Sequence, residues 1–581
     1  MHATIRPLLA ALCFGFAAPL ASTESLSELI TQYEAFNQAG DPEEAAKAAG
    51  EEPKQWADVS PEFVATRAEQ AAQMLAALDA LEDEQSGPEI AILRHLLLGH
   101  VNADAYDTAR IPFVGDWGFF AQPPFTAMRT RANTRPKAEA WIARLNDLPR
   151  YFDDHIANMT RGIDTEWTQN ADPLATSIAQ IKSQIVASPT ESTLFTPFLS
   201  LDSSALSEDE IAALKAEGEA AVATAIAAYE TLLTFMEEEY APATRAGAGI
   251  AKLEGGQDAY AVHVAFHTAG AGYSPEEIHQ LGQTEVARIR ANMESIIAEV
   301  GFEGSFEEFV DFLRTDPQFY AASAEELLEK ASEMSKRLDA LLPRYFKTLP
   351  RLPYGVEAVP AAIAPGYTTG RYSGGDAEKG IAGTYLVNTY ALDQRPLYEL
   401  PALSAHEAVP GHHLQIALAQ ELVDVPDFRK SYYATAFGEG WGLYAEKLAG
   451  EADFYRTPYE RFGQLSYEMW RACRLVADTG LHHYGWTRAQ AEACFNENTA
   501  LAPLNIQTEV TRYIGWPGQA TAYKVGELKI LELRAKAKDA LGEAFDIRVF
   551  HDVLLGAGAM PLDALEKRIN TWIEGHANFE H

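Results

Sequence analysis

"SAHEAVPGHHLQ", residues 404–415, sets a His-Glu pair at positions 406–407 and two further histidines at 412 and 413. When two histidines on one helix share a metal ion they stand at i and i+4, so that one face presents both rings. Here the spacing is longer. On a regular helix His412 lies about 120° from His406 around the axis, and His413 regains the face only about 10 Å further along it. Zinc–nitrogen bonds of about 2.0–2.1 Å keep two donor atoms within roughly 4 Å of each other, so a regular helix serves neither pair. Pro410 has no amide hydrogen, and its ring collides with the carbonyl four residues back, that of His406. Gly411 tolerates backbone angles closed to other residues. Together they predict a kink or a two-residue bulge that returns His412 to the place of an i+4 ligand.

A third ligand is found in "TAFGEGWGLYAEKLAG", residues 435–450. Glu439 follows His412 by 27 residues and is flanked by Gly438 and Gly440. His406, His412 and Glu439 would leave the fourth position of one zinc ion open for water, as a catalytic site requires. Glu407 is then the expected general base, taking the proton of the attacking water. Glu446, seven residues after Glu439, falls on nearly the same helix face and is expected to orient a ligand from behind. The bland alternative is a pair of solvated polar helices. Against it, Trp441, Leu443 and Tyr444 make full exposure of the second helix a poor fit.

The bulk properties narrow the class. The 581 residues include 46 Lys and Arg against 83 Asp and Glu, a formal charge of −37. Nucleic-acid and anionic-membrane partners need a basic footprint, and this balance excludes them as expected partners. The N-terminus, "MHATIRPLLAALCFGFAAPLAST", has a short basic start, an apolar run and small residues near Ala21. It reads as a signal peptide over 1–21, implying a periplasmic or secreted protein with no membrane span in the mature chain. Removing it leaves Cys473 and Cys494, either a disulfide or two buried thiols.

Beyond the leader, residues 22–581 read as one unit. A helical part covers about 22–348, with strong patterns over 205–240 and 275–300 and a cap at Ser274. A stretch rich in Pro, Gly, Thr and Tyr covers about 349–400, and its "GTYLVNTY" (383–390) alternates as a strand does. Helical texture returns over about 401–581 with the candidate ligands. His263 and His267 form another i, i+4 pair, but no carboxylate stands between them and the segment is apolar, so they read as core residues.

"HEAVPGHHLQ", "GEGWGLYAE", "ACRLVADTGLHHYGW" and "RYIGWPGQATAYKVGELKI" resemble the bacterial family called domain of unknown function 885, with the likeness clearest from about residue 220 onward. That family is similar to the gluzincin metallopeptidases. The resemblance implies a mainly α, large, cleft-shaped metallopeptidase-like fold with a small β segment beside the metal helix. Its pattern HExxPGHxxQ matches His412 and Gln415, favouring His412 as ligand and leaving His413 beside the site. The chain departs from the family upstream, with "GYTTGRYSGG" at 366–375 where a run of the type AYYxxP is usual.

Supporting residues follow from the chemistry. Hydrolysis of a carbonyl needs a donor for the developing oxyanion, and Tyr513, His482 and Tyr523 are the candidates. Arg512 and Lys524 are candidate anchors for a substrate carboxylate. The 383–390 strand is a candidate for edge pairing with an extended peptide, which would bring Asn388 to the substrate. The expected function is an exported zinc hydrolase, a peptidase acting on small peptides. The alternatives are a zinc amidase for non-peptide amides and an inactive peptide-binding protein of the same fold.

Overall fold

A computed structural model of the chain describes residues 25–81, 87–115, 117–361 and 363–577. The expected signal peptide lies outside the described residues. The fold is mainly helical, with one three-stranded sheet of order β1-β3-β2. β1 (Tyr354–Ala358) pairs in parallel with β3 (Gly383–Val387), and β2 (Gly370–Ser373) pairs antiparallel on its other side. Tyr372 stands opposite Tyr385 in that register.

The helices begin where short polar side chains accept the first free amides. Ser274 caps Pro275–Glu299 in a reciprocal capping box with Glu277. Ser207 does the same with Glu210 for the 28-residue helix Glu208–Phe235. That helix is shorter than the apolar pattern over 205–240 suggests, because Met236–Tyr240 widens into a π turn.

Buried side chains fall into two clusters. One gathers Trp56 with residues between 113 and 240, around Phe152, Tyr229 and Tyr240. The other joins helices from 26–105 to nearly everything after residue 250, including the stretch around the His406 motif. The single unit read from the sequence thus contains a segment with its own core. Gln169 and Arg245 tie that segment to the rest by donating to the carbonyls of Gly515 and Ile514.

Two helices of the larger part carry the scaffold of the site. Thr435–Glu451 and Ala522–Leu541 cross so closely that a β-carbon on Gly526 would stand 1.8 Å from the carbonyl oxygen of Ala436. Only glycine permits that contact. Gly440 lies on the same crossing, so its role is helix–helix approach rather than access to the site.

Cys473 and Cys494 are bonded, which resolves the alternatives left by the sequence. The bond staples the helix Pro458–His482 to the helix Arg488–Asn498. Replacing both cysteines by serine should lower the unfolding free energy by about 3 kcal/mol, the loop-closure value for a cross-link of this span. Urea melts with and without reductant measure it. An unchanged midpoint would mean that the bond contributes nothing in solution.

Candidate metal centre

The helix Leu400–Glu407 ends at the His-Glu pair, and a separate helix, His412–Gln420, begins at the second histidine. The sequence suggests one kinked helix; the structure has two, joined through a cis Val409–Pro410 bond. The amide of His413 donates to the carbonyl of Ala408, five residues back, so the chain is compacted across the break. Gly411 is what allows this. A β-carbon there would lie 1.9 Å from the carbonyl oxygen of His406. The Trp441 indole closes the turn from outside by donating to the Pro410 carbonyl at 2.8 Å.

The result brings His406, His412 and Glu439 together, with one ligand atom from each inside a mutual 4.8 Å. Among the described residues this is the one cluster of its kind. His406 Nε2 and His412 Nε2 stand 3.5 and 3.6 Å from the same oxygen, Glu439 Oε2. Those distances exceed a good N–H···O bond. They match the roughly 3.3 Å between donors that share a tetrahedral ion with bonds near 2.0–2.1 Å. The donor set therefore fits zinc.

The atoms facing away from the centre are also held. His406 Nδ1 pairs with Glu446 Oε1 at 2.8 Å, as the sequence spacing suggests, and His412 Nδ1 faces Gln415 Oε1 at 3.4 Å. Arg471 Nη2 lies 3.7 Å from the same Glu446 oxygen. Burial opposes charge on His406, yet Glu439, Glu446 and Glu407 outweigh it and push its pKa up to about 9. Burial likewise opposes charge on Glu439, and the two histidines still hold it well below the usual carboxylate range. The three carboxylates thus favour positive charge at this cluster, which His406 carries when no ion is bound.

Glu407, 8% exposed, is adjacent to this group, and its Oε2 accepts the Tyr372 amide at 2.7 Å. His413 points elsewhere. Its Nδ1 bonds the Tyr372 hydroxyl at 3.0 Å, and its ring packs 4.5 Å from that of Tyr354. It supports the strand that aims Glu407 and does not face the two other imidazoles.

The remaining candidates divide sharply. Tyr513 is fully buried, and its hydroxyl is committed to Trp470, Arg474 and Glu509. His482 is also fully buried, with Nε2 on the Tyr513 carbonyl and Nδ1 on the Ile250 amide. Both are structural, because every polar atom is spoken for inside the core. Lys524 is closed off with Glu285, Glu468 and Glu527 and offers a substrate nothing. Asn388 donates to the carbonyls of Ala364 and Tyr367 and accepts the Tyr390 amide, which makes it a loop staple. β3 has strands on both sides, so the sheet's edges belong to β1 and β2 instead, with β2 the one that touches Glu407.

Tyr523 is half-buried and lies within electrostatic reach of Glu439, without a direct bond to it. Tyr433 was missed. Its hydroxyl donates to Glu439 Oε1 at 3.3 Å, and the residue is 45% exposed. Its place six residues before Glu439 was the available signal. His263 and His267 make no cluster with a carboxylate, and His267 packs against Phe266 and Trp516.

Fold and site together define a mainly helical protein with a largely buried His-His-Glu cluster contributed by two short helices and the longer helix Thr435–Glu451. The chain belongs to the family described as "Bacterial protein of unknown function", DUF885, whose model matches residues 42–569. No curated protein matches it. Among solved structures it is similar to a putative lipoprotein from Colwellia psychrerythraea, at 27% identity and a TM-score of 0.84, covering 96% of this chain and 100% of that one. It is also similar in fold to a putative lipoprotein of unknown function from Shewanella oneidensis, at 17% identity and a TM-score of 0.74, covering 94% and 99%.

Two substitutions test the geometry. Glu446→Ala should weaken zinc binding about 10- to 100-fold by freeing the His406 ring, as measured by competition with a chelator. Gly411→Ala should abolish tight binding, since its new methyl group meets the His406 carbonyl. Wild-type affinity in either variant would refute the arrangement.

Proposed function

We propose that this chain is an exported zinc-dependent hydrolase, a gluzincin-like peptidase that cleaves small peptides. The observation that carries the reading is the convergence of two imidazole Nε2 atoms on one Glu439 oxygen, with the Glu407 carboxylate beside them. His406, His412 and Glu439 would hold the ion. Zinc there would supply Lewis acidity, polarising a carbonyl and bringing the pKa of water down toward about 7.

The protein's own groups then divide the work. Glu407, aimed by the Tyr372 amide, takes the proton of the attacking water and returns it to the leaving amine. Tyr433, whose hydroxyl bonds Glu439, or Tyr523, which lies within reach of its charge, donates to the developing oxyanion. β2 is an edge strand beside Glu407, whose carboxylate already takes the Tyr372 amide, so an extended peptide would pair with the remaining edge groups of that strand. An extracytoplasmic location agrees with the description of two structural neighbours as putative lipoproteins and with the disulfide. No helix among the described residues is long and apolar enough to cross a membrane.

The decisive experiment pairs metal analysis with a peptide digest. The purified protein should carry about one zinc per chain and cleave members of a short-peptide library. Glu407→Gln should keep its metal and lose activity by at least about 100-fold, as expected for a general base. Full activity in that variant, or a metal-free protein that cleaves equally well, would sink the proposal.

A further inference from the structure

Two arginines share one carboxylate, and one of them lies over the ring of Tyr523. Glu509 Oε2 accepts from Arg474 Nη2 at 3.0 Å, from Arg512 Nη2 at 3.1 Å and from the Tyr513 hydroxyl at 2.7 Å. One negative charge against two guanidinium groups leaves one positive charge unmatched. The Asp478 carboxyl, within electrostatic reach of Arg512, accepts from the Tyr260 hydroxyl and the Gly518 amide. It forms no ion pair with either arginine.

Arg474 is 4% exposed, and its guanidinium lies between the rings of Trp470 and Tyr523, 4.5 and 4.3 Å from their centroids. Its Nε donates to Tyr513, but its Nη1 is buried without any hydrogen-bond partner. A buried charged donor left unmade is costly, so Arg474 Nη1 calls for an acceptor, whether a water molecule or a bound ligand. Arg512 provides the open side. Its side chain is 23% exposed, and its Nη1 donates to the side-chain oxygen Oε1 of Gln519, a residue that also hydrogen-bonds the Tyr523 hydroxyl. Tyr523 thus feels Glu439 of the candidate centre and both arginines at once.

We propose that Arg512, backed by Arg474 and flanked by Tyr523, binds the C-terminal α-carboxylate of the substrate, so that the protein acts at the free C-terminal end of short peptides. The inference rests on the peptidase reading above. A planar guanidinium fork matches a carboxylate bidentately. An internal stretch of a long polypeptide brings only neutral amides to the same place and leaves the excess cation unmatched. The charge arrangement therefore favours substrates that present a free C-terminal carboxylate to Arg512.

Binding to the zinc-loaded Glu407→Gln protein tests this without turnover. The probes are the tripeptide Ala-Ala-Ala, its C-terminal amide, and Ala-Ala-Asp amide, each titrated by calorimetry. The free acid should bind about 10- to 100-fold more tightly than either amide, the range for a charge-assisted hydrogen-bond pair. Adding Arg512→Gln should bring acid and amide to within about threefold, with zinc content unchanged. Tyr523→Phe serves as a milder variant if Arg512→Gln melts early, and should reduce the preference in part. Equal binding of acid and amide overturns the proposal, as does tight binding of Ala-Ala-Asp amide, which would assign the subsite to a side chain. Absence of binding by all three overturns it as well. A carboxylate preference in a protein that cleaves no peptide would sink the peptidase reading and leave the subsite standing. Cleavage with no such preference would do the reverse.

Discussion

The contact between His406 Nδ1 and the Glu446 carboxylate, both almost shut off from water, anchors the whole arrangement. It fixes the ring so that Nε2 faces Glu439, and it adds a further negative charge to a region already holding Glu407 and Glu439. Buried like charges persist only when compensated. Arg471 compensates Glu446 from one side, and the histidines compensate Glu439 from the other. A divalent cation would complete the balance at the point where the ligand atoms converge. The electrostatics and the distances thus ask for the same thing.

The local backbone is shaped to the same end. The break between Glu407 and His412 brings two rings from different helices to centroids 4.7 Å apart and nearly perpendicular. Neither helix could present both on its own. The sheet contributes through one amide, that of Tyr372, while the opposite side of the same residue is held by His413. Glu407 is therefore aimed by β2 rather than by its own helix.

What the sequence revealed and what it hid have a common cause. His406, His412, Glu439 and Glu446 were legible because helix geometry converts spacing into direction, and because Pro-Gly is a known disruptor of that geometry. The mainly helical texture, the Ser274 cap and the strand-prone stretch were legible for similar local reasons. Tyr513, His482, Lys524 and Asn388 misled because composition cannot tell a buried polar group with partners from one without. Each has the chemistry of a site residue and the environment of a core residue. Strand order was equally hidden: the alternation of 383–390 identifies a strand, but only tertiary pairing makes it the central one. Tyr433 and the shared Glu509 were overlooked because neither stands in a ligand motif: Tyr433 matters only through its bond to Glu439, and Glu509 through Arg474, 35 residues earlier, as well as its near neighbours Arg512 and Tyr513.

Lys524, although no ligand for substrate, shows how the core sets the site. Its ammonium is fully buried and bonds Glu468 at 2.8 Å, Glu527 at 2.6 Å and Glu285 at 3.0 Å. Those carboxylates come from three helices, so the cluster pins Ala522–Leu541 against Pro275–Glu299 and Pro458–His482. Breaking a buried pair of this kind costs about 3–5 kcal/mol by leaving a charge alone, which makes the helix resistant to rotation. Tyr523 precedes Lys524 and is turned to a different side, toward Glu439 and the arginines. The Gly526 crossing meanwhile locks the same helix to Thr435–Glu451, which carries Glu439. The position of Tyr523 relative to Glu439 is thus set by a salt cluster on one side and a backbone contact on another. A side chain placed in that way keeps its distance from Glu439 without any direct bond to it.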